Sequence, residues 1–268
     1  MKTLRAVLIV LAAAGGLTSA ARADVIQLAD LNSVAAFDPA AAAIHADWYV
    51  DGHDYLVEQG FWYRIGEAGA ELPLAALGLV SAVPQDTSGD GLFDKLTVKY
   101  GSADLQVDVI FALFGGDPGS GWSALVPVVT ARNAGAAPLS LHFFQYADFD
   151  LADAGDTVEI TGGNTARQTA GPILVAESVD TPMPDYYRAA LAPEIRALLD
   201  DALPTVLGTV TGPVTGDATW AMQWHADIGP GGTWILSKPQ HLETPEPTTL
   251  AFLALGAAGA GLRRFRKR

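Results

Sequence analysis

Oxygen-bearing side chains at alternate positions mark the run Asp86-Thr87-Ser88-Gly89-Asp90-Gly91-Leu92-Phe93-Asp94. Asp86, Ser88, Asp90 and Asp94, with glycines that permit a sharp turn, can wrap a hard cation such as Ca²⁺. The same residues also suit an acidic turn between two strands, where Asp and Gly serve backbone geometry. Asp148 and Asp150 lie two apart, hence on one face of a strand, and Asp153 and Asp156 follow. Such a pair can ligate a metal, or act on a glycosidic bond when set roughly 5–9 Å apart across a cleft with one carboxyl kept protonated. The alternative is a strand end capped by solvated acids.

Aromatic rings cluster at Trp48-Tyr49, Phe61-Trp62-Tyr63 and Trp220/Trp224. Exposed rings stack on sugars, whereas alternation sets Trp220, Met222 and Trp224 on one face, the pattern of a packed core. Arg64 beside them reads as structural, paired to an acid such as Asp51 at a buried edge. His45, His53, His142, His225 and His241 show no metal-ligand spacing and read as surface or packing residues. Gly119-Ser120-Gly121 lacks the frame of a nucleophile elbow, and neither a Walker loop nor a dinucleotide fingerprint occurs. Without cysteine, disulfides, thiolate catalysis and Cys-based metal sites are excluded. No set of residues makes a catalytic signature, so the chain is expected not to be an enzyme.

The elements that must position these groups are strands. Leu105, Val107, Val109, Phe111 and Leu113 share one face, as do Leu139, Leu141, Phe143, Gln145, Ala147 and Phe149. A third strand puts Trp220, Met222, Trp224, Ala226 and Ile228 on one side, with Thr219, Gln223, His225 and Asp227 opposite. Further strands are expected over Tyr55–Ile65, Leu92–Tyr100, Ser123–Arg132, Pro172–Val179 and Thr233–Lys238. Gly/Pro/Asp clusters punctuate them. This spacing predicts an all-β fold, an antiparallel β-sandwich or jelly roll. Asp185–Leu203 departs from the alternation and is expected to be helical, split near Pro193, lying across the sandwich or over an edge.

The termini differ from the body. Met1–Arg5 is positively charged, Ala6–Leu17 is apolar, and Ala21 and Ala23 fit the small-x-small rule of signal peptidase. Residues 1–23 therefore read as a Sec signal peptide. At the other end Pro245-Glu246-Pro247 precedes an apolar segment, 248–262, and a basic tail, 263–268. Thirteen apolar residues, Leu250–Leu262, make a helix of about 20 Å, short against a core of roughly 30 Å. The basic tail fixes that end in the cytoplasm. Between the ends, residues 24–243 keep eight of 16 basic residues and 29 of 30 acidic ones, a balance near −21. That argues against nucleic acid as a partner and suits a protein working outside the cytosol.

Pro245-Glu246-Pro247, the small-residue span and the arginine cluster resemble the PEP-CTERM sorting signal of Gram-negative bacteria. Thr244 stands where that signal usually has Val, and Thr248 where it usually has Ser. The resemblance implies processing by the membrane protease exosortase and an association with exopolysaccharide. It also implies an inner-membrane anchor before processing and the cell surface or medium afterwards. The body has a likeness of its own to PEP-CTERM proteins. It is carried by Trp48–Gly52, Gln59–Gly66, Gly119–Gly121, His142–Tyr146 with Asp148–Leu151, Trp220–Trp224, Gly231-Gly232 and Ser237-Lys238. This second resemblance implies a β-rich secreted domain with no established activity. A carbohydrate-binding module, assisted by calcium or not, is the alternative, and an enzyme acting on polysaccharide a more distant one.

Overall fold

A computed structural model of the chain describes residues 25–152 and 155–244. Alternating side chains and frequent Gly/Pro turns produce twenty strands and one short helix. The first half of the chain forms β1 (Ile26–Asp30), β2 (Ser33–Phe37), β3 (His45–Val50), β4 (His53–Asp54), β5 (Leu56–Ile65) and β6 (Leu72–Pro73). After one turn of 3-10 helix come β7 (Leu79–Gln85), β8 (Lys95–Gly101), β9 (Leu105–Gly115) and β10 (Trp122–Asn133). Then follow β11 (Leu139–Phe149), β12 (Asp156–Thr161), β13 (Thr165–Ala170), β14 (Ile173–Ser178), β15 (Tyr186–Leu191) and the helix α1 (Glu194–Leu199). The last strands are β16 (Thr209–Val210), β17 (Val214–Gly216), β18 (Ala218–Ile228), β19 (Thr233–Ser237) and β20 (Gln240–Glu243).

They build two sheets of ten strands. The first runs β1-β2-β3-β5-β11-β18-β15-β16, and the second β17-β12-β13-β14-β20-β10-β9-β8-β7. Pairing is antiparallel except for the short parallel contact of β15 with β16. The sandwich is thus larger than a jelly roll of eight strands. Its core holds the alternating faces expected from the sequence: Leu105 to Leu113 of β9, Leu141, Phe143 and Phe149 of β11, and Trp220, Met222 and Trp224 of β18. Phe149 and Trp220 stack with ring centroids 5.3 Å apart, so the tryptophans are core residues and no platform for sugars.

The expected helix over Asp185–Leu203 is corrected in its first half. Tyr186–Leu191 is a strand, because it fills the edge beside β18 in register from Tyr186–Gln223 to Leu191–Ala218. Tyr186 and Tyr187 favour that choice, and Pro193 then starts a helix of six residues. This helix lies on the outer face of the first sheet. Ile195, Leu199 and Leu207 pack there on Trp62, Phe144, Tyr146 and Ala221 as a second, smaller core. Arg196 spans its rim, stacked 4.6 Å over Trp62 and 3.0 Å from Glu58.

Arg64 is also corrected: its partner is Glu71, at 2.9 Å and fully buried, and not Asp51. The Asp51 carboxylate accepts the N–H groups of Gly119 at 2.6 Å and Gly121 at 2.9 Å. Two motifs far apart in sequence thereby form one staple.

Candidate functional site

β11 ends in an irregularity: Asp148 faces Glu58 of β5, but Phe149 faces Leu56, so Val57 is skipped. Phe149 turns into the main core, while Asp148 stays on the other side, only 7 % exposed. The chain then leaves the sheet, so Asp150 is not a strand partner of Asp148. The second buried carboxylate is Asp156, at the start of β12 and 4 % exposed. Asp148, Asp150, Asp156 and Asp217 line one open cleft of about 590 Å³, together with Phe149, Ala152 and Gly216. Asp153 lies outside the described residues.

Each of the two buried carboxylates has one committed oxygen and one free. Tyr146 Oη donates to Asp148 Oδ2 at 3.1 Å. Gln168 Nε2 donates to Asp156 Oδ2, which also accepts the Leu151 N–H at 3.3 Å. Oδ1 of Asp148 and Oδ1 of Asp156 have no partner among the described residues. Burial pushes the Asp148 carboxyl up to about 6, against the lowering effect of the Tyr146 hydrogen bond. The negative charges of Asp217, Glu58 and Asp156 push in the same direction as burial. Burial likewise raises Asp156, opposed by Gln168 and by backbone donors. Burial makes an acid hold its proton more firmly where the hydrogen bonds it accepts do not offset the lost hydration. The cleft thus pairs acceptor oxygens with a carboxyl whose pKa is pushed up to about 6.

The Asp86–Asp94 loop is a set of internal turns. Asp94 accepts the N–H of Thr87 at 2.9 Å, the N–H of Ser88 at 2.8 Å and the Thr87 hydroxyl at 2.8 Å. Asp86 accepts the N–H groups of Gly89 and Gly91 at 2.6 and 2.9 Å, and Asp90 that of Leu92 at 2.8 Å. These donors hold Asp86 below the ordinary carboxylate range. Asp94 is lowered too, burial being outweighed by Thr87 and Ser88. The strand expected from Leu92 starts only at Lys95, because Leu92 to Asp94 close this loop. Ser88 Oγ is 3.3 Å from Asp86.

His142 and His225 belong to different strands and face each other only through the β11–β18 register. The stretch 139–149 and the stretch 218–228 are each legible as strands, and their pairing is the signal that would have joined the two rings. Ala21, Ala23, Pro245, Glu246, Pro247 and the apolar segment 248–262 lie outside the described residues. Among the described residues no helix is long and apolar enough to cross a membrane.

Comparison with known proteins falls into two parts, as the molecule does. Residues 243–267 match the PEP-CTERM protein-sorting motif, so the chain carries that sorting signal. The body shares its fold with solved structures of low sequence identity. Slr1438 from Synechocystis sp. PCC 6803 superposes with a TM-score of 0.55 at 10 % identity, over 84 % of this chain and 97 % of its own. A galactose mutarotase related enzyme from Lactobacillus acidophilus gives 0.55 at 6 % identity, over 84 % and 99 %. The GalM/aldose epimerase homologue from C. elegans gives 0.52 at 9 %, over 83 % and 99 %. No curated protein sequence matches the chain. At these identities the likeness is one of fold.

Proposed function

We propose that this protein is exported, anchored in the inner membrane by its C-terminus, and handed by exosortase to the cell surface or medium, where its sandwich binds an extracellular polysaccharide. The sorting motif at residues 243–267 carries the first half of this reading. The second half is supported by the fold it shares with a GalM/aldose epimerase homologue and a galactose mutarotase related enzyme. The acidic cleft supports it too. Sugar hydroxyls are donors, and the cleft offers carboxylate acceptors from Asp148, Asp150, Asp156 and Asp217. Recognition there rests on hydrogen bonds and not on ring stacking, since Phe149 is buried at 1 % exposure.

The test has two arms. In the native host, intact mass and fractionation of the wild type should find a shortened form outside the inner membrane. Glu246→Ala should leave the full-length protein in that membrane; full-length wild type retained there would reject sorting. On a glycan array, the wild type should bind an acidic-cleft ligand that Asp217→Ala weakens about tenfold, equivalent to ~1.4 kcal/mol. Equal signals from both proteins would reject the cleft.

A second reading has its own observation. Two buried carboxyls, one titrating near 6, are the parts that acid–base chemistry on a sugar needs. In that reading Asp148 is the proton donor and Asp156 the base. Reducing-sugar release or anomer interconversion, abolished by Asp148→Asn while binding persists, would establish turnover over mere binding.

A further inference from the structure

A second polar cluster sits on the outer face of the first sheet, six residues back along β11 from Asp148, or about 20 Å. The register sets His142 of β11 directly opposite His225 of β18. Their rings stack with centroids 4.8 Å apart and planes 28° from parallel. Glu67, in the turn that follows β5, comes back over this pair and places Oε1 3.2 Å from His142 Nε2. Among the described residues, Glu67, His142 and His225 form the one group of three His or carboxylate side chains whose ligand atoms lie within 4.8 Å of one another. We propose that these three residues bind a divalent transition metal of the zinc type.

The donor set selects the metal class. Two imidazoles and one carboxylate suit Zn²⁺, Cu²⁺ or Ni²⁺, whereas Ca²⁺ takes oxygen ligands. A tetrahedral zinc site with bonds near 2.0–2.2 Å separates its ligand atoms by about 3.3 Å. Glu67 and His142 already stand at 3.2 Å. Bringing in the third atom needs only small torsions of side chains that are free to turn, with Glu67 79 % and His225 41 % exposed. His142 is the fixed member: the residue is 8 % exposed, and its Nδ1 has no partner among the described residues. Its other nitrogen, Nε2, stands against the Glu67 carboxylate and is the ring nitrogen placed to take the metal.

Neighbours complete the site without opposing it. His225 Nε2 lies 2.9 Å from Ser140 Oγ and 3.6 Å from Asp227 Oδ1, so a further oxygen donor is within reach of a fourth position. Arg64 faces His142 from β5. Its charge is taken up by Glu71 at 2.9 Å, and its guanidinium also donates to the Thr205 carbonyl at 3.4 Å. Three protein ligands and one open position describe the coordination of a zinc ion that still exchanges a ligand.

The protein, purified without a polyhistidine tag and freed of metal by chelation, should bind Zn²⁺ in a 1:1 complex by isothermal titration. The same protein loaded with Co²⁺ should show the visible absorption of a low-coordinate site. His225→Ala and Glu67→Gln, both at exposed positions, should each weaken Zn²⁺ binding by at least about tenfold. Circular dichroism melts of the variants should match the wild type. Asp90→Ala, in the distant acidic loop, should leave zinc binding unchanged. Absence of zinc binding, or binding that either His225→Ala or Glu67→Gln leaves intact, would overturn the assignment; neither result bears on the sorting motif or the acidic cleft.

Discussion

Asp148 shows what burial does to a single acid. Its folded-state pKa is about 6, against roughly 3.9 in an unfolded chain. Between those values the folded protein holds a proton that the unfolded chain has lost, so stability declines as pH rises from about 4 to 6. Below that window the residue is neutral in both states, and above it the loss is complete. Partial solvent access through the cleft keeps the loss on the order of 2 kcal/mol. Asp148→Asn, neutral at every pH, should flatten this slope. In urea unfolding it should gain on the wild type as pH rises from about 4 to 6 and hold that gain above it, and parallel profiles would refute the burial argument. The pairing of Asp148 with Asp156 was only half legible. Spacing of two residues points to Asp150, but the strand stops at Phe149, and only the return of the chain at β12 brings Asp156 alongside.

Elements explain why other polar residues tolerate the interior. Lys238, in the link between β19 and β20, and Glu177 of β14 have fully buried side chains 2.9 Å apart. Burial lowers the Lys238 pKa, and Glu177 opposes that shift. Gln240 of β20 also donates to Glu177, and the Lys238 ammonium sits 5.4 Å from the Phe61 ring of the facing sheet. The pair thus ties β14 to β20 and touches both layers. Lys238→Met strands the buried carboxylate and should cost about 3–5 kcal/mol, whereas Lys238→Met with Glu177→Leu should recover most of it. Chemical denaturation of the two variants decides the point; equal losses in both would show that packing, and not charge, governs this seam. Sequence alternation found the long strands β9, β11 and β18 because each buries one whole face. It missed β1 and β2, whose Ala and Asp residues carry little strand preference. It gave Tyr186–Leu191 to a helix because the leucine spacing of the following turn ran back into it, and only the open edge of β18 decides otherwise.

The whole molecule is closed at the end from which the sorting signal leaves. Asn32, between β1 and β2, donates to Asp51 at 3.1 Å and accepts the Gly116 N–H at 2.9 Å. Asp51 in turn holds Gly119 and Gly121. Gly121 carries the carbonyl that accepts the Thr244 N–H at 2.8 Å. A side chain at Gly121 would meet Thr244 at 2.2 Å, and its φ of +68° excludes most other residues as well. The last described residue is therefore bound to the body, and Pro245 follows it directly. Just before it, β20 lies inside the second sheet between β14 and β10, with Leu242 wholly buried. Cleavage that removed β20 would split that sheet in its middle and expose the core. The body thus constrains where exosortase can cut: the mature C-terminus should be Thr244 or a later residue. A stop codon after Thr244 should leave the melting temperature within about 2 °C of the parent, because the ladder of β20 is intact. A stop after Pro239 deletes Leu242 and its two neighbouring ladders, and should lower it by on the order of 10 °C or prevent folding. Mass spectrometry of the native mature protein gives the same answer independently, and a stable species ending before Leu242 would contradict it.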